Sequence, residues 1–173
     1  YQGASSVAIG DSAGANDQQN NSVAIGNNSG QTSQGLNSVA IGNSAGIFEQ
    51  SASSVAVGYL CGQTSQGEQS VSIGNQAGEN EQGHQSVAIG TEAGNIEQGN
   101  YAVAVGYLSG QTNQGGNSIA VGNQAGRNEQ GNDSIAIGTE AGNTGQSLQS
   151  VAIGYYSGQT SQGENSVAVG NQA

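Results

Sequence analysis

Few side chains in this sequence could carry out chemistry, and they are scattered along the chain. His84 is the only histidine, Cys61 the only cysteine and Arg127 the only lysine or arginine among 173 residues. A catalytic site needs converging groups, and no Ser-His-Asp or Cys-His arrangement can be built around one histidine at a variable turn position. We therefore expect no catalytic residue and no enzymatic activity, with His84 solvated and Cys61 a small buried residue.

The acidic side chains align only in part. Four of them share one position, immediately before a recurring glutamine: Glu49, Glu81, Glu97 and Glu129. A divalent cation could bridge Glu81 and Glu97, but repulsion between solvated carboxylates is the interpretation that we favour. The glycine-rich segments lack the lysine of a phosphate-binding loop. We expect neither a metal ion nor a cofactor.

Tyrosines are the best candidate contact residues. Tyr59, Tyr107 and Tyr155 recur every 48 residues, each followed by a similar short segment. Exposed aromatic side chains often anchor binding to proteins or glycans. Packing against a neighbouring side chain at a corner is the interpretation that we favour, and a surface contact stripe is the functional alternative.

Composition excludes several partners. The net charge is −11 with one basic side chain, so the chain has no cationic surface for nucleic acid or for an anionic membrane. Apolar stretches reach only three or four residues, whereas crossing a bilayer takes roughly 20. We expect no binding to nucleic acid and no membrane insertion by this segment.

The elements that would position these side chains follow from a strict sixteen-residue period. Val7, Val23 and their equivalents form one column, and Ile9, Ile25 and theirs form a second column two residues later. Alternating β-branched and small residues predict a short strand, and the glycines that follow at fixed offsets exclude a helix and indicate corners. The pattern predicts an all-β, parallel β-solenoid with sixteen-residue coils and two short strands in each coil.

Two further expectations concern packing. The strand face made of serine, alanine and glycine suits close contact between chains, so we expect several chains to pack these faces about a common axis. One glutamine recurs without exception in every complete coil, from Gln18 to Gln162. Identical amides stacked at strand spacing predict a ladder of hydrogen bonds from one glutamine to the next, with a ligand-binding stripe as the alternative.

One motif also indicates a family. At Asn21–Gly26 and Asn37–Gly42 the sequence reads Asn-Ser-Val-Ala-Ile-Gly, and Asn165–Gly170 differs only by Val169. This motif resembles the head repeat of trimeric autotransporter adhesins, the YadA-like family, and the resemblance extends over essentially the whole chain. It implies a left-handed parallel β-roll that forms an intertwined homotrimer on a cell surface and mediates attachment to host cells or matrix.

The resemblance carries expectations for packing and for partners. It implies that the Val7 and Ile9 columns fill the interior of each chain, while the Ser6 and Ala8 columns face the neighbouring chains. Besides the chain itself, the implied partners are a host extracellular-matrix protein, a receptor or a glycan. We expect residues 1–173 to form a single array of about ten and a half coils that is a segment of a longer extracellular protein.

Three alternatives remain open. Repeats of this kind also occur in fibres of viruses and phages, where the array would be an attachment element or a rigid trimerising spacer on a virion surface. An ice-binding solenoid would need a regular threonine array, whereas the threonines here skip coils. The array could also be the stalk of an enzyme domain outside these residues.

Overall fold

The computed structural model describes residues 1–173 and contains strands but no helix. Each strand has three residues. In chain order the strands are β1 Val7–Ile9, β2 Asn16–Gln18, β3 Val23–Ile25, β4 Thr32–Gln34, β5 Val39–Ile41, β6 Val55–Val57, β7 Thr64–Gln66, β8 Val71–Ile73, β9 Asn80–Gln82, β10 Val87–Ile89, β11 Ile96–Gln98, β12 Val103–Val105, β13 Thr112–Gln114, β14 Ile119–Val121, β15 Asn128–Gln130, β16 Ile135–Ile137, β17 Thr144–Gln146, β18 Val151–Ile153 and β19 Val167–Val169.

The strands stack as a parallel β-solenoid. The Val-Ala-Ile strands form one eleven-stranded parallel sheet, which we call the first sheet, and the strands ending in glutamine form a second parallel stack of six and two strands. The register is sixteen residues throughout, as in the pairing of Val87 with Val103 and of Gln98 with Gln114. Isolated bridges at Phe48 connect the two parts of the second stack. The predicted β-solenoid is confirmed, and its left-handed winding stays a prediction from the resemblance.

Glycine forms the corners because two of its columns have conformations that a side chain would strain. Gly90 has φ +128°, and a Cβ there would lie 2.5 Å from the carbonyl oxygen of Gly106 in the next coil. Gly94 has φ +51°, and a Cβ there would lie 2.8 Å from the side-chain amide of Gln98. Of 105 backbone hydrogen bonds, 79 involve at least one residue outside the strands, so the hydrogen bonding continues from the strands into the corners.

The interior corrects the expected orientation of the first sheet. Ala88 and Ala104 are fully buried, whereas the adjacent Ile89 is 37% exposed. The alanine and serine columns therefore fill the interior of the chain and the valine and isoleucine columns point outward, the reverse of what we expected. A sixteen-residue coil brings its two sheets too close together for β-branched side chains, and only small residues fit between them.

The serine column that precedes each strand was also assigned to the wrong side. Ser86 is fully buried, and its hydroxyl donates a hydrogen bond of 2.7 Å to the main-chain carbonyl of Gly83 three residues earlier. Equivalent serines repeat this bond along the chain, as Ser38 does with Gly35. These hydroxyls pin the corner of their own coil and are not available to a neighbouring chain.

The glutamine column is buried as a structural column should be, but its bonding differs from the predicted ladder. Gln34 is fully buried, and its Nε2 donates to the main-chain carbonyl of Val23 at 2.8 Å. All ten glutamines of the column make this bond to the residue eleven positions earlier. Only Gln98 donates to the next glutamine, to Gln114 at 3.1 Å. The bonds therefore run across the interior between the sheets and not along the rod.

Candidate interaction surfaces

The outer side of the first sheet is an uninterrupted apolar face. Each of its eleven strands contributes two outward-pointing β-branched side chains, and none of the twenty-two is polar. Ile73, Ile137 and Ile153 are 37–39% exposed, although they lie within the sheet and away from its ends. We call this surface the Val-Ile face. A contiguous apolar surface of this extent marks an interaction site on a protein of otherwise polar composition.

The three predicted contact tyrosines lie on one line beside that face. Tyr59, Tyr107 and Tyr155 are each about half exposed, at 51%, 49% and 50%. Their main-chain carbonyls accept the same hydrogen bond of 2.8 Å, from the residue seventeen positions later, as Gln124 donates to Tyr107. The line is therefore held by a regular backbone, and one tyrosine recurs at every third coil, at intervals of about 14 Å.

Tyr155 has an additional contact. Its ring meets that of Tyr156 edge to face, with centroids 4.1 Å apart and an interplanar angle of 88°. The Tyr156 hydroxyl donates to Oε1 of Glu140 at 3.1 Å. Packing at a corner therefore accounts for part of the role of Tyr155, whereas half of its surface stays open.

The two residues with reactive side chains differ in exposure and make separate hydrogen bonds. His84 is exposed at a corner, where its Nδ1 accepts a hydrogen bond of 3.2 Å from the main-chain N–H of Glu68. Cys61 is fully buried, and its thiol donates to the carbonyl of Gly58 at 3.5 Å. Burial raises the pKa of Cys61 to about 12, so the nucleophilic thiolate is disfavoured.

The aligned glutamates lie on the outside of the second stack. Glu81 and Glu97 are exposed, and no group of three or more His, Cys, Asp or Glu side chains is arranged to hold a metal ion. Arg127 donates from Nε to Gln111 Oε1 at 2.9 Å. No helix is present that could cross a membrane.

Sequence reasoning missed the Val-Ile face because alternation cannot say which side of a strand is the inside. The sequence did contain one signal for the interior column, namely the size of its side chains. Eleven stacked alanines and serines allow the two sheets to lie close together, whereas a sixteen-residue coil leaves no room between them for eleven stacked isoleucines. The interior glutamine adds a second signal, since its long side chain already occupies the space opposite the alanine column.

Parts of the sixteen-residue repeat, in which each strand of the first sheet points two aliphatic side chains outward, also match the model of a known family. Both ends of the chain match the YadA head domain repeat. The two matched copies cover residues 2–29 and 160–173. No curated protein gives a significant match to the chain.

The sixteen-residue period continues between the two matched segments. Residues 30–159 keep the same sixteen-residue columns, and their strands pair in the same register as the strands of the matched ends. The resemblance predicted from the Asn-Ser-Val-Ala-Ile-Gly motif is confirmed by this match. A YadA head repeat on a β-solenoid indicates a fibre module of the adhesin type, and both are structural features of adhesins.

Proposed function

We propose that this chain is a homotrimeric fibre module, displayed on a cell surface, that attaches its bearer to host cells or matrix. The observation that carries the proposal is the Val-Ile face. Leaving twenty-two aliphatic side chains partly exposed along a rod is unfavourable, and covering each of them is worth on the order of 1 kcal/mol. The face calls for an apolar partner of the same length.

A second copy of the chain fits this requirement best. Its own Val-Ile face has the same coil spacing, so each aliphatic pair in one rod can meet an equivalent pair in the next. Three copies around one axis would each present the same face inward, in a closed assembly without an open apolar edge. The match to the YadA head repeat supports an assembly of three copies. We include the intertwined, left-handed arrangement of the three chains in the proposal.

Attachment would then be multivalent. Three rods of net charge −11 give −33 in total, which keeps the fibre soluble and repels anionic surfaces. Any weak contact is repeated along the rod and on three copies, and repetition raises avidity without a strong single site. We further propose that residues 1–173 act as one uninterrupted array within a longer surface protein.

Sedimentation equilibrium tests the assembly. We expect three times 17.0 kDa, about 51 kDa, for the purified chain. The double variant Ile89→Glu and Ile137→Glu places carboxylates in the Val-Ile face and should dissociate the trimer, whereas Glu81→Gln on the second stack should not. A folded and stable monomer of 17 kDa would contradict the proposal.

Adhesion needs a separate measurement. Beads coated with the trimer should bind cultured cells or an extracellular-matrix layer, and beads coated with the Ile89→Glu and Ile137→Glu variant should bind less, because avidity is lost. A trimer that binds neither surface would refute the adhesive part and leave the assembly intact.

A further inference from the structure

The column that carries the three tyrosines contains only uncharged residues over seven consecutive coils. We call this set the tyrosine line. Between the tyrosines it alternates an asparagine and a threonine in the same order each time. Its members are Tyr59, Asn75, Thr91, Tyr107, Asn123, Thr139 and Tyr155. All are exposed except Thr139, which is half-buried, and none is charged.

The polar members of the line have unused hydrogen-bonding groups. In the earlier coils of the same column, Asn27 donates to Asp11 at 3.2 Å and Asn43 donates to Asn27 at 3.4 Å. The side chains of the four later polar members make no hydrogen bond within the chain; they are Asn75, Thr91, Asn123 and Thr139. The column therefore changes, where the tyrosines begin, from a self-bonded ladder to a row of free amides and hydroxyls.

The surroundings of the line determine which ligand fits. The nearest carboxylates are Glu92, which accepts from Gln111 at 2.5 Å, and Glu140, which accepts from Tyr156 and from Gln159. An anionic ligand would face these acidic side chains, and the only guanidinium, that of Arg127, is hydrogen-bonded to glutamine oxygens. No surface hollow is lined by Tyr59, Tyr107 or Tyr155. The side chains that anchor a protein–protein interface usually fill pockets on the partner surface. The tyrosine line offers exposed rings without a pocket, so a protein partner fits it less well.

We infer that the tyrosine line binds an extended neutral polysaccharide of β-linked hexopyranose rings. Such a chain has C–H groups on the faces of its rings, which stack on tyrosine, and hydroxyls at the ring edges, which pair with asparagine and threonine. It advances per ring by about the same length as one coil rises, so every third ring meets a tyrosine. This inference rests on the proposed adhesive role and names the class of partner for it.

The test uses cellohexaose, cellotriose and a hexamer of galacturonate as the anionic comparison. The chain has no tryptophan, so tyrosine fluorescence reports stacking directly, and titration calorimetry gives the affinity. We expect cellohexaose to bind more tightly than cellotriose, because only the longer chain reaches two tyrosines, and the galacturonate hexamer to bind least. Tyr107→Ser removes a ring from both two-tyrosine sites and should weaken cellohexaose binding by about three- to tenfold, whereas Tyr59→Ser or Tyr155→Ser leaves one such site and should weaken it by no more than about twofold.

A matched control separates stacking from general loss of an aromatic side chain. Tyr101 is 57% exposed but lies in a different column, so Tyr101→Ser should leave the affinity unchanged. Equal binding by the wild type and the triple tyrosine variant would overturn the inference, as would no binding of cellohexaose at all. Dissociation of the trimer by the tyrosine variants would also overturn it, because the rings would then pack between copies. A trimer that adheres to cells after all three substitutions keeps the proposed function and removes only this partner.

Discussion

The side-chain amide of Gln146 donates a hydrogen bond of 2.8 Å to the main-chain carbonyl of Ile135 and thereby joins the second stack to the first sheet across the interior. It also lies 3.3 Å from the carbonyl of Ser150. Gln146 is 1% exposed, so both carbonyls would lack this donor if the side chain were shortened. The repeated glutamine therefore holds the two sheets together, as a larger apolar core does in proteins whose sheets lie farther apart.

The first prediction concerns this crosslink. Gln146→Ala should lower the free energy of unfolding by about 2 to 4 kcal/mol, because the hydrogen bond between the two sheets is lost and a cavity opens. Gln149, in the same coil, is exposed and its side chain makes no hydrogen bond, so Gln149→Ala should change stability by less than about 0.5 kcal/mol. Urea unfolding followed by far-UV circular dichroism measures both. Equal losses for the two variants would contradict the assigned role.

A second prediction tests which side of the first sheet is the inside. Ala88→Leu should destabilise the fold by about 3 kcal/mol or more, because the interior has no space for a larger side chain. Ile89→Ala changes the neighbouring residue on the Val-Ile face and should affect unfolding much less while weakening self-association. Urea unfolding and sedimentation of the two variants distinguish these effects. The reverse pattern would restore the interior position that we first expected for the isoleucine column.

A third prediction concerns backbone strain at Tyr101. This residue has φ 59°, a left-handed conformation that is unfavourable for a bulky side chain. Four other coils carry asparagine at the equivalent position, Asn21, Asn37, Asn117 and Asn165, and asparagine adopts this conformation more readily. Tyr101→Asn should therefore raise the free energy of unfolding by about 1 kcal/mol. Tyr107→Asn is the control, because Tyr107 is not in a left-handed conformation and should gain nothing.

A fourth prediction follows from the buried thiol. Burial raises the pKa of Cys61 from an ordinary value of about 9 to about 12, so between these values the unfolded chain loses a proton that the folded chain keeps. The contribution of Cys61 to stability is therefore constant below about pH 9 and declines as the pH rises toward 12. Cys61→Ala removes the titrating thiol and should abolish this decline. The fold should tolerate the substitution, because alanine occupies the same position in neighbouring coils.

The difference between the two proteins isolates this effect from the titration of the tyrosines. Stability at pH 8 and pH 10.5, measured by urea unfolding, gives the comparison. Iodoacetamide at pH 8 should label Cys61 in urea and leave it unlabelled in the native protein. Rapid labelling of the native protein would show that the thiol is accessible, against the burial described above.

The periodic residues were sufficient to predict the coil length, the parallel stacking, the glycine corners and the absence of helices. Each of these properties depends on spacing along the chain, and spacing is visible in the sequence. The recurrence of Tyr59, Tyr107 and Tyr155 on one line followed from the same arithmetic. The sequence also indicated that the repeated glutamine is structural, since no coil replaces it.

What only the tertiary structure decided is the direction in which the side chains point. Alternation places Ala88 and Ile89 on opposite faces but does not say which face meets the second stack, and that depends on how far apart the two sheets lie. The choice of acceptor for Gln146, a carbonyl of the opposite sheet at 2.8 Å, depends on the same distance. Sheet separation is set by the packing of all the coils together, so the local pattern could not determine it.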